Sequence, residues 1–134
     1  MYNYPQYGET PVKITERGWG GHFCLANQCL FRRNTLLEFG NEKWVVSTVG
    51  NRIGKSEMPE EIGYNRYYET MAFVATEMDG YYDADVTQQI AFDSPWTVSA
   101  VSRLSDAEAQ LMHDAVVFEL SKAIQLNVIR LIED

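Results

Sequence analysis

Apolar and polar positions alternate along the first two thirds of the chain and change to a helical spacing near its end. Val12–Glu16 alternates and predicts a short strand. Leu30–Phe39 and Trp44–Val49 flank Gly40-Asn41, which suits a two-residue hairpin loop, with a four-residue loop that would lose the Glu38–Lys43 match as the alternative. The two-residue register sets Glu38 against Lys43, Leu37 against Trp44, Leu36 against Val45 and Thr35 against Val46, with opposite charges beside the turn and apolar pairs beyond it. Met71–Met78 and Tyr81–Val86 flank Asp79-Gly80, a type I′ signal, and predict a second hairpin. Its register sets Phe73 against Val86 and Ala75 against Ala84 on one face, and Val74 against Asp85 and Thr76 against Asp83 on the other. A further strand is expected over Gln89–Phe92, ending before Pro95.

Ser105-Asp106-Ala107-Glu108 reads as a capping box and opens a helix that meets no Gly or Pro before Ile132. Over 105–132 such a helix spans roughly 40 Å, against a diameter of about 36 Å for a compact domain of this length. Its apolar residues run nearly all the way round, so its far end (Ile124, Val128, Leu131, Ile132) is expected to overhang, with a second copy as its cover. The expected architecture is one α+β domain over 1–134. It comprises an extended lead-in (1–11), antiparallel β-hairpins forming a twisted sheet (12–96) and a long packed C-terminal helix (105–132). Residues 51–65, with Gly54, Pro59 and Gly63, read as a long loop.

Composition changes this picture little: 134 residues, 46% of them hydrophobic, suffice for one core. Charge changes it more. Residues 1–67 carry eight Lys/Arg against seven Asp/Glu and residues 68–134 three against twelve, so the net −8 comes from the second half. An acidic half argues against direct nucleic-acid binding, which needs a concentrated basic face, and suits docking onto a basic protein surface. No apolar run approaches the length that crosses a bilayer. The N-terminus lacks a basic patch followed by an apolar stretch, so the cytosol is the expected compartment. Cys24 and Cys29 are expected as buried thiols in a reducing compartment, with a disulfide across a turn at Asn27-Gln28 as the alternative.

The candidate chemistry is sparse. Arg32-Arg33-Asn34-Thr35 is the most unusual run, because alternation puts Arg33 among Cys29, Phe31, Thr35 and Leu37. A guanidinium there is either a fork for a phosphate or carboxylate ligand or half of an internal ion pair, with Glu69 or an aspartate of the second hairpin. His22, after Gly18-Trp19-Gly20-Gly21, is a general acid–base candidate or a satisfied structural histidine. His113 is expected to be exposed on the helix. Asp79, Asp83 and Asp85 are hard-cation ligands in type, without the spacing of a calcium loop, and are expected to be solvated. Tyr64, Tyr67, Tyr68, Tyr81 and Tyr82, with Trp19, Trp44 and Trp96, are aromatic anchors for a base or a protein, or ordinary core. No phosphate loop, dinucleotide fingerprint or nucleophile elbow is present. No cofactor, metal site or catalytic set is expected. The candidate ligand- or partner-binding residues are His22, Arg32, Arg33, Asn34, Tyr67, Tyr68, Tyr82, Asp83 and Asp85.

The strings Arg17-Gly18-Trp19-Gly20-Gly21-His22-Phe23, Cys29-Leu30-Phe31-Arg32-Arg33-Asn34-Thr35-Leu36 and Val45-Val46-Ser47-Thr48-Val49-Gly50 resemble a group of short phage and mobile-element proteins. The resemblance continues through Tyr67–Phe73 and Asp83–Val86. It carries no catalytic roles. It implies a small non-enzymatic protein in the cytoplasm of a bacterial host that blocks a host defence factor by protein–protein interaction, as anti-CRISPR proteins do. Its partner would be a host protein such as a nucleic-acid-binding effector. A nucleotide- or small-anion-binding protein, or a small enzyme, using Arg32, Arg33 and His22 is the alternative.

Overall fold

The architecture is α+β, an antiparallel sheet with one helix packed on it. A computed structural model describes residues 12–17, 22, 28–53, 59–60, 68–91, 99–102 and 106–132. The strands are β1 (Lys13–Glu16), β2 (Cys29–Phe39), β3 (Glu42–Ile53), β4 (Pro59–Glu60), β5 (Tyr68–Met78), β6 (Tyr81–Ala91), β7 (Ser99–Ser102) and β8 (Arg130–Leu131), and the helix is α1 (Asp106–Leu126). The sheet order is β1-β2-β3-β5-β6-β8, with β4 pairing β3 and β7 pairing β5.

The first hairpin has the register its residue pattern predicts, from Glu38↔Lys43 through Thr35↔Val46 and on to Asn34↔Ser47 and Arg33↔Thr48. Its loop places Gly40 at φ +63° and leaves Asn41 at negative φ, the glycine-first pattern of a type II′ turn. The second hairpin turns on Asp79 (φ +50°) and Gly80 (φ +88°), the two left-handed residues of a type I′ turn.

That hairpin keeps Ala75↔Ala84 and Thr76↔Asp83, but Phe73 faces Gln89 and not Val86. Residues 85–88 bulge out of the ladder. The Asp85 carboxylate stabilises the bulge by accepting from Thr87 N (3.0 Å), Thr87 Oγ1 (2.6 Å) and Gln88 Nε2 (2.6 Å). Such a local side-chain turn competes with regular pairing, and it turns Val86 outward, where it is exposed. β6 therefore runs on to Ala91 as one bent strand, taking in the segment expected as a separate strand.

Helix α1 buries one stripe: Ala109, Met112, His113, Val116, Val117, Leu120, Ala123 and Ile124. Asp114 and Ser121 are buried beside this i, i+3, i+4 stripe, and the apolar residues continue round the helix as expected, with Leu111 and Leu126 left exposed on the other side. It packs on the sheet face that carries Leu37, Trp44, Val46, Tyr68 and Ala72. The expected run to Ile132 stops six residues short. Asn127, at φ +55°, takes the left-handed position. Its N–H donates to the Ile124 carbonyl (3.2 Å) and that of Val128 to the Ala123 carbonyl (3.1 Å), the two bonds of a Schellman cap. The chain then returns as β8 onto β6, fixed by Ile132 N–H to the Gln89 carbonyl (2.8 Å). Ile124 is thus covered by the chain's own core, and the overhang does not form. The expected cap residue Ser105 lies outside the described residues, but Asp106 in the first turn accepts from the Tyr68 hydroxyl and ties the helix start to β5.

The opposite sheet face is closed as well. Val45 and Val46 point to opposite faces, yet neither has any exposed surface. Asp83 is paired with Thr76 at the far side of the sheet, and still its carboxylate accepts from Asn34 Nδ2 on β2 (3.2 Å). The Arg17 guanidinium beyond β1 lies 5.7 Å from the Tyr81 ring. The second hairpin therefore curls back over this face. Cys29 is a buried thiol whose pKa burial raises; Cys24 lies outside the described residues.

Candidate functional site

Two polar networks occupy the two faces of the sheet, and adjacent residues of β3 anchor them. On the helix face, His113 is fully buried, which reverses the expectation of an exposed histidine. Its Nε2 lies 2.7 Å from Thr35 Oγ1 and its Nδ1 lies 2.6 Å from Thr48 Oγ1, which in turn is 2.7 Å from Thr70 Oγ1. Burial, and secondarily the Arg33 charge, hold its pKa well below the ordinary histidine value, so the ring is neutral.

The direction of the whole chain follows. Thr35 donates its only proton to Glu16 Oε2 (2.7 Å), so it accepts from His113 Nε2–H. A neutral ring then accepts at Nδ1 from Thr48, and Thr48 accepts from Thr70. Arg33 closes the network, donating to Glu16 Oε2 at 2.6 Å and to Asp114 Oδ1 at 2.7 Å. The Arg33 side chain lies on the apolar face that alternation assigns it, and it meets carboxylates. They come from β1 and α1, whereas Glu69 and Asp83 serve the opposite face.

There, His22 is held between Ser47 and Glu69: Nδ1 is 2.9 Å from Ser47 Oγ and Nε2 is 2.9 Å from Glu69 Oε1. The ring stands 5.5 Å from Phe73. An ionised carboxylate only accepts, so Nε2 carries a proton toward Glu69, and Nδ1 of a neutral ring accepts from Ser47. The order serine–histidine–carboxylate is the one that activates a nucleophile. Here, however, Ser47 is completely buried in the middle of β3. That strand is paired on both sides, at Asn34↔Ser47 and Ser47↔Met71, which commits its N–H groups to the ladder and not to an oxyanion. The array fastens residue 22 to the sheet.

Beside it, opposite Ser47, Asn34 is also fully buried. Its amide is oriented by the bond from Nδ2 to Asp83, and Asp83 also accepts from Ala84 N–H (2.8 Å). Among the described residues, Asn34 Oδ1 has no hydrogen-bond partner.

Of the residues singled out in the sequence, His22, Asn34 and Asp83 converge on this second face. Arg33 and Tyr68 lie on the helix side, where burial and the neighbouring Asp106 raise the Tyr68 pKa. Arg32 is exposed on β2, the Tyr82 ring stacks under Lys43 at 4.9 Å, and Asp85 holds the β6 bulge. Tyr67 lies outside the described residues. Ser47 was missed and His113 was placed on the wrong side of the helix, although both could have been found. Extending the hairpin register by one pair sets Ser47 against Asn34, and counting four residues from Ala109 puts His113 on the buried stripe. Among the described residues no group of His, Cys, Asp and Glu has the grouping of a metal site. Compared with protein-family models, with curated proteins and with solved structures, the chain matches none of them.

Proposed function

We propose that this chain is a small binding protein that works by docking on another protein. The observation that carries this reading is the apolar edge where α1 ends: Leu126 (61% exposed), Val128 (46%) and Leu131 (44%) stand in solvent. Beside them is an open depression of about 650 Å³ lined by Ala91, Arg130, Leu131 and Ile132. β8 is a terminal strand of the sheet, so its outer side offers backbone groups as well as apolar side chains. Apolar side chains grouped at a strand edge are the signature of a protein contact and not of a solvated surface.

The resemblance to phage and mobile-element proteins supplies the setting: a host defence factor, in the bacterial cytoplasm, as the partner blocked. No described helix is long and apolar enough to cross a membrane. The acidic second half favours a partner with a basic surface, such as a nucleic-acid-binding effector. A nucleotide or small-anion site built from Arg32, Arg33 and His22 is the weaker reading. Arg33 and His22 lie on opposite faces, and each already meets a carboxylate.

The test is quantitative affinity purification from host cells with the wild-type chain and a folded Leu126→Asp/Leu131→Asp variant. A host protein recovered in stoichiometric amount by the first and lost with the second supports the reading. Equal recovery by both rejects it.

A further inference from the structure

Asn34 is the one member of the second-face cluster whose chemistry is left incomplete. His22 uses both ring nitrogens on Ser47 and Glu69, and the Asp83 carboxylate receives Asn34 Nδ2 and Ala84 N–H. The Asn34 amide cannot flip to relieve its oxygen, because Nδ2 must face the carboxylate. A fixed, fully buried amide oxygen without a donor, among Leu36, Val45 and Val49 that would pack against an apolar residue equally well, is a group awaiting a partner. His22, Glu69 and Asp83 are the partly exposed members, which sets the side from which a small donor enters.

We propose that His22, Asn34, Ser47, Glu69 and Asp83 form a binding site for a small molecule that presents an N–H donor, the head of an amine, amidine or carboxamide, to Asn34 Oδ1. The two carboxylates suit a cationic head; Arg17, near Tyr81 on the same face, balances them toward a neutral one. The site is independent of the apolar edge at Leu126–Leu131, so the two readings stand or fall separately.

The experiment is a titration of the isotope-labelled full chain with methylguanidinium or with acetamide, at matched ionic strength, read at the Asn34 side-chain amide and the His22 ring. A saturable shift with either probe, weakened at least tenfold at the His22 ring in Asn34→Leu, supports the site. Glu69→Gln separates the classes: a methylguanidinium response that falls with it assigns a cationic head, and an acetamide response that survives it assigns a neutral one. Should Asn34→Leu fail to fold, a crystal of the wild-type chain soaked with the probe decides. Probe nitrogen within hydrogen-bond distance of Oδ1 supports the proposal. A lone water there that saturating probe does not displace overturns it, as does the absence of a saturable shift or an unchanged response in Asn34→Leu.

Discussion

Arg33 of β2 and Asp114 of α1 meet at 2.7 Å, both largely buried, and the same guanidinium reaches Glu16 of β1 at 2.6 Å. One side chain thereby joins the helix, the second strand and the edge strand. The pair stands next to the His113 network, so charge and neutral hydrogen bonds support one another at the place where α1 crosses the sheet.

Removing one member strands the other. Arg33→Met leaves the Asp114 carboxylate buried without that cation and is expected to cost about 3 kcal/mol, in line with broken buried pairs. Arg33→Met combined with Asp114→Leu should recover most of that loss, because the buried carboxylate goes with its cation, and Glu16, 42% exposed, keeps the Thr35 hydroxyl and solvent. A double-mutant cycle by urea denaturation checks this, and strict additivity of the two single effects would contradict it.

Stability should fall in acid through His113. Its folded pKa is depressed, so the unfolded chain takes up a proton first, near pH 6.5, and stability present above that pH is lost as pH drops toward the folded value. The slope from this group approaches ~1.4 kcal/mol per pH unit. His113→Gln should be less stable at pH 7.5 yet show a shallower decline between pH 6.5 and 5. Parallel urea-midpoint curves for the two chains would count against the neutral, wired imidazole.

Asn127 ends α1 in a left-handed conformation that asparagine tolerates and β-branched residues do not. Asn127→Gly is expected to leave the melting temperature unchanged or slightly raised. Asn127→Val should cost about 1–2 kcal/mol. Equal melting temperatures for the two variants would show that the cap is not the terminator.

The β6 bulge rests on Asp85, whose pKa is lowered chiefly by the Thr87 hydroxyl and then by Gln88. Asp85→Ala should speed hydrogen exchange at Thr87 N–H while the Trp44–Val74 region of the sheet keeps its protection. Unchanged exchange at Thr87 would mean that the bulge is held elsewhere.

Much of the fold was legible in the residues. Opposite charges at Glu38 and Lys43 and the Asp79-Gly80 dipeptide specify both turns, and the first hairpin's register follows without error. Helix length was misread because Asn127 is a weaker stop signal than glycine, and the Schellman bonds that make it one are set by geometry. The second hairpin slipped at Asp85 because local side-chain hydrogen bonding competes with the ladder and leaves no periodic trace. The site was half legible: Asn34, His22 and Asp83 stood out as residue types. The Asn34–Asp83 contact depends on a hairpin curling over a sheet face, and His22, from between β1 and β2, reaches Ser47 and Glu69 across the same face; both are long-range events that alternation does not encode.

Ser47 and Thr48 are joined by one peptide bond, and each anchors a different histidine, His22 on one side of the sheet and His113 on the other. β3 thus behaves as a partition wall with a fitting on each surface. Sliding it by one residue would offer one imidazole the wrong hydroxyl and the other a valine (Val46 or Val49), and turn buried valines inside out, so misalignment is penalised twice over. The two ring signals form a matched pair of reporters: a disturbance confined to one compartment moves one of them, and only a shift of the wall itself moves both.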